Sequence, residues 1–582
     1  MRKTEYRWKG ALLAAAAVAF VAGSARLAGA TAQCGDLNGD GSLGIADAIR
    51  LQKAVFVPNA ADCGGSGSAQ CGQVNKQAND PAGKVSGADV VVLQAFLAGN
   101  PTLFPLCGGS GTSACPPPGA VQTGAGGEQW TSRVTRSGTI GQSEIWPTGC
   151  RVDIDGLTFV NPNVTITMQP GVLVVGKNPP SPGAGGPTNV SALIFLKNSK
   201  INAAGTVTQP ILMTSSNHVD LGTGGIGDWG GLSINGNAPV NCPGGECLAE
   251  GLIGVPFGGP DPHDSSGVLE FARVEFSGKE LSQDNELNII TYNGLGDNTV
   301  LDHVQANVGF DDCQEWFGGT VNSKFLVDSG CGDDLFDTQL ATTGKTQFML
   351  GVYFNPYMQN AGNNGFEWDD NENGFDLLPR NAPKTCNFTM IGTALQTNSI
   401  GENTEQGSNL RRGTAGIITN TIWEHFRNTG IGVTDNATAA QACPPGPDGL
   451  LVEHSLLFDN GHDSANPNWR QVSGNWTTPC TPTAWYAGLP SVTPLDPTTQ
   501  GTDPQIPVKY GTGAPGAQTD LTQFTPAGSG GTATEPSVNS LAMDCSTIDP
   551  FFEKTTPLYL GAFKPGAGQD WLQAPWINFR LQ

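Results

Sequence analysis

Three stretches decide the fold: LEFARVEFSG (269–278), LDHVQANVG (301–309) and NSKFLVDSG (322–330). Each alternates apolar and polar residues and closes on a small residue and glycine. A period of two marks a strand with one face in a core. The last two stretches begin 21 residues apart, a spacing suited to one coil of a stacked solenoid. No helical crossover and no two-residue hairpin turn separates them. The expected fold is therefore mainly β, a right-handed parallel β-helix over residues 131–440. Apolar alternates would stack inside, and polar alternates would line the outer face.

The surrounding text has the same character. VTITMQPGVLVVG (164–176), SALIFLKNSKINAAGTVTQPILMTSS (191–216) and WGGLSINGNAPV (229–240) are short β-rich runs separated by glycine or asparagine turns. Glycine supplies 80 of the 582 residues, about twice its usual share. Residues 441–582 are rich in Pro, Thr and Gly, as in TPCTPTAWYAGLPSVTPLDPTTQGTDPQIP (478–507). They are expected to form a loop-rich part of the same module, pinned by Cys443, Cys480 and Cys545, that covers a side or an end of the solenoid.

Residues 1–32 read as a signal peptide. Arg2, Lys3, Arg7 and Lys9 form a basic start, Ala11–Ala22 an apolar run, and Ala30-Thr31-Ala32 a small-x-small cleavage site. The localisation expected is extracellular or cell surface, with no membrane span. Cleavage would remove five basic residues (Arg2, Lys3, Arg7, Lys9, Arg26) and one acid (Glu5), moving the formal charge from -23 to -27. Such a charge repels nucleic acid and attracts cations. All 14 cysteines follow the cleavage site, so up to seven disulfides are expected. Cys242–Cys247 is read as a local loop, and Cys34 with Cys107 as a clasp around the first module. No CxxC is present, which argues against zinc ribbons and thioredoxin-like redox chemistry.

CGDLNGDGSLGIADAIRLQKAVF (34–56) is the most specific motif. Asp36, Asn38 and Asp40 occupy loop positions 1, 3 and 5, Gly41 makes the sharp turn, and Ser42 offers its carbonyl. Asp47 closes the loop at position 12. Hard oxygen ligands at this spacing wrap calcium. An Asp in place of Glu at position 12, with no helix before the loop, resembles a type I dockerin. NDPAGKVSGADVVVLQAFLAGN (79–100) resembles an eroded second repeat, with Asp80 and Asp89 as further ligands. The resemblance covers about residues 33–107 and implies a small α module with a cohesin-like partner. Residues 108–130, rich in Gly, Ser and Pro, are read as a linker.

GFDDCQEWFGGTVNSKFLVDSGCGDDLFDTQ (309–339) raises the question of chemistry. Asp311-Asp312 and Asp333-Asp334 lie 22 residues apart, about one coil, so stacking would set them side by side, with Glu315 near Asp337. Carboxylates that close need a cation, raised pKa values or exposure to water. Asp311, Asp312, Asp333, Asp334 and Asp337 are thus candidate calcium ligands. Asp312, Asp333 and Asp334 are candidate catalytic acids for polysaccharide cleavage. The same aspartates also fit a plain turn-capping role. Trp316 and Trp368, beside acids in DCQEWFGG and GFEWDDNENG, are candidates for sugar stacking, or else core residues at coil edges. Arg411, in NLRRG, is a candidate ligand-binding or lyase-type base, and equally an ion-pair partner of the acids. The six histidines are scattered, and the chain has no GHG and no RIK.

Residues 130–582 resemble a group of exported bacterial proteins, often from Bacteroidetes, without an established activity. The matching text includes ITMQPGVLVVG, GDWGGLSINGNAPVN, FDDCQEWFGGTVNSKFLV, NLRRGTAGIITNTIWEHF and YLGAFKPGAGQDWLQAPWINF. The resemblance implies a β-helix-like fold. The function expected is that of a secreted or surface calcium-binding β-helix protein, non-catalytic, that binds glycan or a partner. The alternatives are a polysaccharide lyase or glycoside hydrolase acting on acidic polysaccharide, and a surface-layer structural protein.

Overall fold

A computed structural model describes residues 112–579, apart from 183, 185–188, 283–284, 354–362, 394–404, 445, 447, 462–467, 475, 505, 507–539, 565–570 and 573–574. The chain divides into two compact units, 1–108 and 109–582. The dockerin-like module, with Asp36, Asn38, Asp40, Ser42, Asp47, Asp80 and Asp89, lies outside the described residues, as do the signal peptide and the Cys34–Cys107 clasp.

The second unit is a parallel β-helix. Among the described residues twenty-seven strands join in one hydrogen-bonded set, and the pairings define three faces. The first sheet runs through Lys200–Ala204, the leading halves of Gly267–Ser277, Val300–Gly309, Asn322–Ser329, Lys345–Val352 and Lys384–Ile391, then Gly416–Thr419 and Leu450–Glu453. The trailing halves of the long strands continue into a second sheet that ends with Ile422–Glu424, Ser455–Phe458 and Val492–Thr493. The third sheet stacks Leu232–Asn235, Ile290–Leu295, Gln314–Gly319, Phe336–Gln339, Asn364–Asp369, Gln406–Arg411, Thr429–Val433 and Val472–Gly474.

One residue per coil turns the chain from the first sheet to the second. Phe271, His303, Phe325, Phe348 and Asn387 occupy equivalent places and all have positive φ, between 45° and 64°. A left-handed backbone costs a non-glycine residue roughly 1–2 kcal/mol. Stacking offsets it: ring centroids are 4.4 Å apart for Phe271 and His303, 4.5 Å for His303 and Phe325, and 5.0 Å for Phe325 and Phe348. Inside, the apolar alternates of the three sheets meet in one continuous core that includes Leu269, Leu301, Val304, Leu326, Phe336, Phe366 and Phe388.

Coils continue beyond residue 440 as far as Val492–Thr493, inside the region expected to be loops. The chain then returns along the corner between the first two sheets, in reverse order. Leu541 contacts His454, Met543 contacts Asn420, Glu553 contacts Gln347, and Asn578 contacts Gln305. Among the described residues five disulfides join Cys115–Cys150, Cys242–Cys247, Cys313–Cys331, Cys386–Cys545 and Cys443–Cys480. Among the described residues no helix is long and apolar enough to cross a membrane.

Candidate functional site: a carboxylate column on the third sheet

Parallel register builds the site. Glu315 stands beside Asp337, Asp337 beside Glu367, and Glu367 beside Asn409 on successive strands of the third sheet. Neighbouring strands lie about 4.8 Å apart. The strand alternation sends these residues to the outer face and Trp316, Thr338, Trp368 and Leu410 inward. Asp369 stands beside Arg411 on the same outer face.

The two aspartate pairs lie at the corner that leads into this sheet, and they stack as their spacing predicts. The Asp334 N–H donates to Asp312 Oδ1 at 2.8 Å, and Asn364 Nδ2 donates to Asp334 Oδ1 at 3.0 Å. Each carboxylate thus caps the turn of the next coil, so turn closure accounts for part of their role. It does not account for their density. Ligating atoms lie within 4.8 Å of one another in three triads: Asp311, Asp312 and Asp333; Asp312, Glu315 and Asp337; Asp334, Asp337 and Glu367.

The site faces outward yet is buried. Glu315 is 3 % exposed, Asp334 5 %, Asp312 and Asp337 7 %, and Glu367 8 %. An insertion closed by Cys242–Cys247 packs Ala249, Leu252, Val255 and Phe257 against Ile194 and Phe317 on the outer side of the same sheet. Asn241 Nδ2 ties this insertion to Asp370 at 2.9 Å. The insertion also adds Glu250 as a like-charge neighbour of Asp311, Asp312 and Glu315.

Burial first, and like charge second, push the carboxyls of Asp311, Glu315, Asp334 and Asp337 well above the usual range. Burial likewise raises Asp312 to about 8 and Glu367 to about 7.

Donors are shared unevenly along the column. Glu315 accepts from Asn288 and, at 2.9 Å, from Gln339. Glu367 accepts from Asn364 at 2.8 Å, from Asn409 at 3.0 Å and from Arg411. Arg411 also bonds Asp369 at 2.8 Å, and Arg412 bonds Asp369 at 2.6 Å. Between these satisfied ends, Asp337 Oδ1 is buried with no hydrogen-bond partner. An anionic oxygen in that position is costly unless something positive meets it.

Of the two readings of Trp316 and Trp368, sugar stacking and core, their burial fits the core. They are 2 % and 0 % exposed and belong to the core. Trp316 packs on Tyr292 and Phe336, and Trp368 on Phe366. The reason is alternation: where Glu315 and Glu367 point out, the next residue points in. Arg411 is held by two carboxylates, whose charges push its pKa up from an already high value. That disfavours the neutral form a base requires. Glu367, Asp369, Asn364 and Asn409 escaped the sequence reading, although GFEWDDNENG carries the first two.

A family model described as a pectate-lyase-like β-helix domain matches residues 138–454, more than half of the chain. The chain belongs to this family. The pectate-lyase-like β-helix thus holds the whole carboxylate column, from Asp311 to Arg412, within the matched residues. No curated protein matches, and no solved structure matches.

Proposed function

We propose that this is an exported, calcium-binding β-helix protein whose carboxylate column is a cation site rather than a catalytic centre. The dockerin-like loop of Asp36, Asn38, Asp40, Ser42 and Asp47 would serve attachment to a cohesin-like partner, and the acidic β-helix would present a surface to glycan or to a protein. The observation that carries the reading is the unpartnered, buried Asp337 Oδ1, common to two of the three triads. A hard divalent cation there meets oxygen ligands alone, as calcium prefers. Burial of the acids and capture of Arg411 by Glu367 and Asp369 leave little for acid/base chemistry on a chain as large as a polysaccharide.

The second reading is a polysaccharide lyase or glycoside hydrolase, with Asp312, Asp333 and Asp334 as its acids. The family match and the half-buried Asp333 favour it. Incubation of the mature chain with acidic and neutral polysaccharides, with calcium and with chelator, separates the two. No product from any substrate, together with calcium-dependent melting, is the expected result. Calcium-dependent product that disappears in Asp334→Asn would replace the first reading by the second.

A further inference from the structure

We infer that the Cys313–Cys331 disulfide is a positioning device for the cation site, holding the two aspartate turns together before any cation arrives. The inference rests on reading the column as a cation site. Cys313 directly follows Asp311-Asp312, and only Gly332 separates Cys331 from Asp333-Asp334. The bond therefore joins the two turns at the point where each presents its acids. It lies in the core, with both sulfurs buried and a Cα–Cα distance of 5.4 Å.

The turns touch closely. A Cβ on Gly332 would sit 1.8 Å from the Phe310 carbonyl oxygen, so only glycine fits. A few hydrogen bonds also join the turns: Cys313 N–H donates to Asp334 O at 3.0 Å, and Asp334 N–H to Asp312 Oδ1 at 2.8 Å. Gly332 N–H reaches Asp311 O at 3.2 Å, and Asp333 N–H reaches the same oxygen at 3.4 Å. Against them stand Asp311, Asp312 and Asp333, with ligating atoms within 4.8 Å of one another. The arginines of the column form ion pairs with Glu367 and Asp369, a coil beyond. Without a cation, ionisation of these acids sets like charge across the two turns, and only hydrogen bonds oppose it. A covalent link resists whatever the charge. A site kept assembled spares the cation the cost of assembling it, which appears as affinity.

The test compares calcium titrations of the full chain in an Asp40→Ala background, which removes the first loop's contribution. One variant carries Cys313→Ala with Cys331→Ala. A control carries Cys115→Ala with Cys150→Ala, which opens another buried disulfide in the early coils. Titrations are run where circular dichroism shows the β fold intact. The expected result is affinity at least about tenfold weaker in the first variant and unchanged in the control. Equal affinity in the first variant would overturn the inference. Calcium binding that Asp337→Asn leaves untouched would instead overturn the cation reading beneath it. If the first variant does not fold, hydrogen exchange on the unaltered chain decides. Protection of the Gly332, Asp333 and Asp334 amides in chelator equal to that in calcium supports a preformed site. Protection that appears only with calcium contradicts it.

Discussion

Glu315 and Glu367 flank Asp337 in register, and both flanking carboxylates have donors while Asp337 Oδ1 has none. The column is therefore most frustrated at its centre. A change at the centre separates the cost of the charge from its use.

Asp337→Asn removes one like charge from two triads. In chelator at pH 8 the β-helix of this variant should melt at or above the wild-type temperature. In calcium the wild type should rise and the variant should not. Differential scanning with the near-ultraviolet signal of the buried tryptophans reads both. Equal rises would show that calcium acts elsewhere.

Arg411→Ala strips a guanidinium from Glu367 and Asp369 while both carboxylates stay buried. Loss of hydrogen bonds to charged groups should cost about 2 kcal/mol in urea unfolding. Calcium should recover part of that loss, because a cation nearby replaces the missing positive charge.

Glu405 offers a pH test outside the column. Its carboxyl is buried against Thr393, and burial raises its pKa to about 7. The raised value means that the folded state holds the proton more tightly than the unfolded state. The stabilisation is fully present below the ordinary value of 4.5 and is lost as pH rises through about 7. Glu405→Gln should remove this dependence, so the fall in stability between pH 5 and pH 8 should shrink by about 3 kcal/mol. Urea midpoints at the two pH values measure it.

Trp368→Ala should cost about 3–5 kcal/mol, the usual penalty for emptying a large buried site. Glycan retention by the folded variant on affinity gels should not change. Loss of glycan binding with stability intact would return Trp368 to the surface role that its burial denies.

The sequence carried the coil through its alternation and 21-residue spacing, and from these the stacking of Glu315 on Asp337 was legible. Glu367 was not, because the coil from Asp337 to Glu367 is 30 residues long and the spacing signal breaks there. Glu250 was hidden for another reason: it arrives on an insertion, so no periodicity points to it. The inward turn of Trp316 was available in principle, since Glu315 facing out forces its neighbour in. The Cys313–Cys331 pairing was beyond reach, because a cysteine count cannot choose partners.

The most direct measurement is anomalous scattering from a crystal of the mature chain soaked in strontium or terbium as stand-ins for calcium. A difference peak bounded by Asp312, Glu315 and Asp337, or by Asp334, Asp337 and Glu367, is the predicted result. Peaks confined to the Asp36–Asp47 loop, with none at the column, would contradict the account.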